Sequence, residues 1–381
     1  MSDTPYILYG MSASLFTGKV RAYLIHHGIP FIERGAGHPT FTQEIVPQIG
    51  RWIIPVLVTP GGQIIQDGAD IIDHLDAQGL SRNPVRPDDP ALLATTHLFE
   101  LFGGEGLLRP AMHYRWNFDA DNLDFLKVSF SEAFPPGLTP AQQSSMFDHS
   151  SERMRKAGAA FGVSDEAAPA IEASYAEFLA LLEAHLGKTY FLLGGYPTLG
   201  DYGLMNGLYA HLSRDPHPAL IMKRDAPRVF AWTERMNRIP REEHDIDGAP
   251  IGLFETAPDT LKDLMRFVAS DFLPELMAHT NFTNRWLAKH EELPGDAMER
   301  TLGVMEFEWH EHTLQTAVMP YRSWMIQRLT DHYDSAADGD RILIRNLFAE
   351  TGLTALIDNR ANCRVIRDAN REIWGHRIPE S

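Results

Sequence analysis

Two spacings of apolar residues divide this chain. Over the first 80 residues short apolar runs alternate with an amphipathic stretch; beyond residue 90 helical spacing takes over. Residues 6–9 (Tyr-Ile-Leu-Tyr) read as a buried strand closed by Gly10. A polar turn follows, and then Val20, Tyr23 and Leu24 recur at helical spacing over residues 19–27. Gly28 and Pro30 stop that helix, and residues 31–33 give the next strand. A parallel, right-handed β-α-β unit is predicted. Residues 53–58 form a further strand with Pro55 near its start. Gly61-Gly62 turns the chain, and residues 63–66 return antiparallel. A helix is predicted over residues 69–77, with Ile71, Ile72 and Leu75 on one face.

Pro84, Pro87 and Pro90, with charges between them, mark a linker. Helices are then predicted over residues 92–108, 167–186, 199–212 and 229–239. Residues 130–162 are not assigned by the pattern. A second linker, rich in Gly, Pro and acidic residues, is read over 241–252, and helical spacing resumes over 260–279 and 302–329. No internal repeat is visible. The domains are drawn at 1–82, 90–240 and 241–381, the last expected to be helical and to pack on the helical domain.

Composition narrows the function. The 381 residues carry a formal net charge of -17. That argues against a nucleic-acid partner, which needs positive charge for phosphates, and against docking on anionic membranes. No apolar run approaches the ~18 residues of a membrane span, and residues 1–20 lack a charged-then-apolar leader pattern. The one cysteine, Cys363, fits a reducing compartment, so a cytoplasmic enzyme or binding protein is expected. No cysteine cluster is present for zinc. His310 and His312, taken as i and i+2 on a helix, point apart, and no metal is expected.

Three strings resemble the glutathione S-transferase family. They are "YILYGMSASLFTGKVRAYLIHHGIPFIE" from Tyr6, "IIPVLVTPGGQIIQDGADIIDHL" from Ile53, and "YFLLGGYPTLGDYGLMNGLYAHL" from Tyr190. The resemblance implies an α/β thioredoxin-like N-terminal domain, then an all-α glutathione-transferase C-terminal domain, here with an additional helical extension. It covers about 240 residues; the last 140 match no family pattern. In that family the proline at Pro55 is cis, and the preceding residue, Ile54, turns its backbone toward the ligand. Asp67-Gly68 stands where the family has Glu or Gln followed by Ser, at a helix N-terminus that grips the γ-glutamyl carboxylate. Gly68 removes the hydroxyl and keeps the N–H. From spacing alone, Asp67 reads equally as the cap of the following helix.

By the same resemblance, the first turn of helix 1 supplies a hydroxyl that favours the glutathione thiolate. Ser14 is the candidate catalytic residue, with Ser12 and Thr17 as rivals; as plain chemistry Ser14 reads equally as an N-cap. Tyr6 and Tyr9 lie in a strand and read as core. Glutathione contacts are implied at Phe16, Ile54, Pro55, Asp67 and Gly68. No cysteine stands in the turn, which excludes a mixed-disulfide mechanism there. Thr198 and Asp201 read as a structural cap. Residues 113–116 (His-Tyr-Arg-Trp) fall where the family lines its acceptor pocket, but read as a polar-aromatic surface loop. Residues 319–325 read as packing the extension onto the helical domain. The expected activity is conjugation of glutathione, as co-substrate, to a small hydrophobic electrophile, in a homodimer by family habit. The alternative is a non-catalytic binding or scaffold protein on the same fold, and the two differ in whether residues 241–381 cover the site over Ser14.

Overall fold

The computed structural model describes residues 4–240, 246–291 and 294–378. The chain begins with β1 (Tyr6–Gly10), α1 (Leu15–His27) and β2 (Phe31–Gly35). A short π-helical turn leads into α2 (Val46–Ile49), followed by β3 (Val56–Val58), β4 (Ile64–Gln66) and α3 (Gly68–Ala77). The four strands form one sheet in the order β2-β1-β3-β4. β1 pairs parallel with β2 and antiparallel with β3, and β4 returns antiparallel on β3. Gly28 ends α1 at φ 67, where a side chain would be strained. Ile71, Ile72 and Leu75 are fully buried under the sheet; burying each contributes roughly 1.5–3 kcal/mol.

The middle of the chain is helical: α4 (Pro90–Leu101), α5 (Leu108–Trp116), α6 (Asp119–Ser131), α7 (Pro140–Ala159), α8 (Ala168–Leu186), α9 (Leu199–Gly207), α10 (Pro216–Asp225) and α11 (Pro227–Met236). Asp89 caps α4 through the Leu92 N–H, with Pro90 in the first turn. α7, which the hydrophobic pattern does not assign, opens with a Thr139–Gln142 capping box. α9 is buried along its whole length. It lies so close to the end of α4 that a Cβ at Gly103 would sit 2.3 Å from the Gly203 backbone.

The last part is not purely helical. The second linker read from the sequence lies partly outside the described residues, at 241–245. After it come α12 (Asp259–Asp271) and α13 (Leu273–Leu287), two helices where one was expected. Then the chain forms a hairpin of β5 (Val304–Trp309) and β6 (His312–Ala317) in place of the expected helix start. α14 (Pro320–Ser335), α15 (Asp338–Glu350) and α16 (Thr354–Ile357) follow, and a second hairpin, β7 (Cys363–Asp368) and β8 (Arg371–Arg377), closes the chain. The signal for the first hairpin is in the sequence: Met305, Phe307 and Trp309 are buried and alternate with exposed Val304, Glu306 and Glu308. His310 and His312 therefore stand at a hairpin turn, with His310 at φ 51, and not on a helix.

One continuous core joins all three parts. Leu8 and Leu57 of the sheet, Leu98 and Phe102 of the middle helices, and Phe267 and Leu329 of the last part belong to it. The last part also touches the sheet domain directly. Among the described residues no helix is long and apolar enough to cross a membrane.

Candidate functional site

The chain enters α1 through a tight turn in which the Ser14 N–H bonds the Met11 carbonyl at 3.1 Å. Ser14 is the N-cap: its Oγ accepts the Thr17 N–H at 3.3 Å. The rival hydroxyls sit differently. Thr17 is fully buried, packed so tightly on Gly10 that a Cβ there would lie 2.2 Å from its Cγ2. Ser12 Oγ is buried as well, while the Ser12 N–H donates to Glu132 Oε2 at 3.1 Å. Neither Ser12 Oγ nor Thr17 Oγ1 has a hydrogen-bond partner among the described residues. Tyr9 is core, its hydroxyl accepting from Arg34 at 3.2 Å.

The Ile54–Pro55 peptide is cis, as the resemblance implies. Pro55 is tied to the next turn by the Asp67 N–H, which donates to the Pro55 carbonyl at 3.3 Å. No hydrogen bond joins the Ile54 N–H or C=O to another described residue. Asp67 holds φ 91 and caps α3 through Ala69 N–H at 2.9 Å. Gly68, the first residue of α3, has no described partner for its own N–H. Phe16 and Gly68 are neighbours: a Cβ at Gly68 would lie 3.6 Å from the Phe16 carbonyl oxygen. Thus Phe16, Pro55, Asp67 and Gly68 come together; Ser14 lies one half-turn of α1 from Phe16.

The last part of the chain reaches this end of the site. The Tyr321 hydroxyl donates to Asp67 Oδ1 at 3.1 Å; burial, and then the Asp67 carboxylate, hold that hydroxyl protonated well above its ordinary range. At the tip of the β7–β8 hairpin, Asn370 Oδ1 accepts the Gln66 N–H at 3.0 Å, so the free edge of β4 is capped. Four aspartates spaced three apart, Asp67, Asp70, Asp73 and Asp76, run along α3. Asp70 pairs with Arg367 at 2.8 Å and Asp73 with Arg328 at 2.6 Å; Asp76 pairs with Arg86. Arg328 also meets Glu100 at 3.2 Å, and Glu100 bonds Lys19 of α1 at 2.8 Å. Burial opposes the Glu100 charge, yet Arg328 and Lys19 hold its carboxyl well below the usual range. Between Gly68, Phe16, Lys19, Asn206, Tyr321 and Met325 there remains a cavity of about 10 Å³, room for about one water.

Sequence reasoning misplaced residues 113–116. They lie in α5 and are buried, not on a surface loop. Arg115 grips Asp215 through two bonds, at 2.7 and 2.8 Å, and donates to the Ala13 carbonyl at 2.8 Å, so it fixes the residue before Ser14. Nothing local could have found that role, because Asp215 is 100 residues away in sequence. Residues 319–325 do pack the last part inward: Arg322 is buried between Glu105, at 3.0 Å, and Glu275, at 2.7 Å. The same segment also reaches the sheet domain, through Tyr321.

Residues 8–79 match the family profile described as glutathione S-transferase, N-terminal domain. No curated protein matches the chain. Among solved structures, beta-etherase LigF from Sphingobium sp. strain SYK-6 is similar at 20% identity, over 62% of this chain and 96% of its own, with a TM-score of 0.42. Glutathione transferase GSTFuA3 from Phanerochaete chrysosporium is similar at 14% identity, over 64% of this chain and 100% of its own, with a TM-score of 0.44. A glutathione S-transferase of Ceriporiopsis subvermispora, CsGST63524, solved with glutathione, is similar at 18% identity, over 63% of this chain and 100% of its own, with a TM-score of 0.36. Each of these leaves more than a third of this chain uncovered. The sheet order, the cis proline and the profile match define a thioredoxin-like domain of the transferase kind. Residues 8–79 thus carry a glutathione S-transferase-type N-terminal domain, and the rest of the described chain is mostly helical.

Proposed function

We propose that this protein binds glutathione along its N-terminal domain and transfers the glutathione thiolate to a small hydrophobic electrophile. One observation carries the reading: beside cis-Pro55 the Ile54 N–H and C=O have no hydrogen-bond partner among the described residues. A bound cysteinyl backbone would satisfy both groups as a short added strand. Ser14 would then serve the sulfur. Its capping bond uses a lone pair of Oγ, so the hydroxyl proton stays free to donate to a thiolate. The N-terminus of α1 adds its positive end. Glycine at position 68 keeps an N–H for the γ-glutamyl carboxylate, and Asp67, whose two bonds both fall on Oδ1, keeps Oδ2 for the ammonium. In the reaction the thiol proton passes to solvent, sulfur bonds to the electrophilic carbon, and the displaced group leaves with the bonding electron pair. The protein lowers the thiol pKa and holds the two reactants together.

Calorimetric titration with glutathione tests the reading. Wild type should bind, and Asp67→Ala should bind about tenfold more weakly, the worth of one charged hydrogen bond. Ser14→Ala should retain affinity and lose about ten- to a hundredfold in kcat/KM with an aryl halide. Absence of binding at millimolar glutathione would sink this reading. It would favour the second one, a non-catalytic binding or scaffold protein, whose support is the contact of Tyr321 on Asp67 and of Asn370 on Gln66.

A further inference from the structure

We propose that Tyr321 and the tip of the β7–β8 hairpin form an intramolecular gate, which must swing aside before the γ-glutamyl end of glutathione reaches Asp67 and Gly68. The proposal rests on the glutathione reading above and adds its regulation. Three observations carry it. First, the gate residues hold the turn that a γ-glutamyl group would need: the Tyr321 hydroxyl sits on Asp67 and Asn370 sits on the Gln66 N–H. Second, the space that Tyr321 and Met325 line together with Gly68 and Asn206 is about 10 Å³. That admits about one water and no amino-acid head group. Third, the walls of that space carry complementary groups without partners among the described residues. The Gly68 N–H is a donor suited to a carboxylate, and Asn206 Oδ1, on a residue 2% exposed, is an acceptor suited to an ammonium. Groups of this kind are costly to bury unpaired.

The geometry also says which parts stay fixed. α14 is anchored one residue further on, where buried Arg322 bridges Glu105 and Glu275. Met325, Ile326 and Leu329 lie in the common core. Opening therefore needs a rotation of the Tyr321 side chain and a shift of the hairpin tip, and leaves the helix in place. At that tip Ala369 and Asn370 both hold positive φ. Arg367 of β7 lies against the Tyr321 and Trp324 rings and pairs with Asp70 of α3, so hairpin, ring and α3 meet at one side chain. A closed gate lowers apparent affinity by the fraction of molecules that are open.

The test is titration of the full chain with glutathione in wild type, Tyr321→Phe, Tyr321→Ala and Asn370→Ala. Tyr321→Phe keeps the ring and its packing and loses only the latch, so it controls for misfolding of the alanine variant. The gate predicts tighter binding than wild type in every variant. The gain is a few-fold for the phenylalanine and Asn370 variants and about tenfold or more for Tyr321→Ala. Binding in wild type that tightens in the variants would support gate and glutathione site together. Equal affinity in all four proteins would overturn the gate and leave the glutathione reading standing. Weaker binding in Tyr321→Phe would overturn it too, and make Tyr321 a positioning residue for Asp67. Absence of binding in all four would remove the glutathione reading and the gate with it.

Discussion

His26 and His27, adjacent at the end of α1, are buried and neutral. Burial, then the neighbouring His27 and Arg82, push His26 down to about 3; burial and Arg82 push His27 down to about 4. His27 uses both ring nitrogens: Nε2 pairs with the Tyr202 hydroxyl at 3.0 Å, and Nδ1 accepts the Arg82 N–H at 3.0 Å. His26 Nδ1 has no hydrogen-bond partner among the described residues, and the ring stands edge-on to Phe191. Both folded values lie below the unfolded value of 6.5, so the unfolded chain takes up protons first as pH falls. The stability they contribute is complete above pH 6.5 and is lost as pH drops from there toward the folded values. For one such group the loss between pH 7 and pH 5 is about 2 kcal/mol. His26→Phe keeps an aromatic ring against Phe191 and removes one titrating site. Urea unfolding at pH 7 and pH 5 should therefore show a difference in stability about 2 kcal/mol smaller in the variant than in wild type. An unchanged difference would mean that His26 carries its proton in the fold.

Among the elements, α14 makes buried connections that its own sequence does not announce. Arg322 is buried between Glu105 and Glu275, and Glu275 also binds Arg109, so two arginines and two glutamates share one buried site. Arg322→Met leaves Glu275 with Arg109 alone and strips Glu105 of the cation it pairs with. Breaking a buried network from one side costs about 3–5 kcal/mol, and thermal unfolding of the variant should show it; a loss under about 1 kcal/mol would mean that water reaches the site. Glu105 lies 217 residues from Arg322 in sequence, so no pattern along the chain could pair them. The first 80 residues are legible because their constraints are local: Gly28 at positive φ, the antiparallel turn at Gly61-Gly62, and apolar Ile71, Ile72 and Leu75 at helical spacing. Within the candidate site, the turn at Asp67 and the cap at Ser14 were legible for the same reason. The contact of Tyr321 on Asp67 was not, because it joins residues 254 apart. The β5–β6 hairpin was legible and was misread. Its strict alternation lies between helical stretches, and apolar residues close together suit either period until Glu306 and Glu308 are weighed as outward positions.

At the scale of the molecule, the sequence suggests a break near residue 240, and the packing does not respect it. Phe102 sits edge-on to Phe178 at 5.3 Å within the middle helices, and to Phe267 at 6.1 Å and Phe272 at 5.8 Å beyond the proposed boundary. A chain ended at residue 240 would expose that aromatic cluster. It would strip Arg322 from Glu105 and Glu275 from Arg109, leaving the Glu105 carboxylate and the Arg109 guanidinium each without its partner. It would also uncover the acidic row of α3, where Asp70 and Asp73 now face Arg367 and Arg328. Exposed apolar surface and unpaired charge act in the same direction, so the last part of the chain is expected to fold with the rest and not as an appendage. Residues 1–240 alone should come out insoluble, or soluble with helical far-UV dichroism, weak near-UV dichroism and bound hydrophobic dye. Cooperative unfolding of that fragment within a few degrees of the full chain would show that the last part only decorates a self-sufficient transferase fold. The Tyr321 gate would then be an addition to a finished site, because the walls it closes against would stand without it.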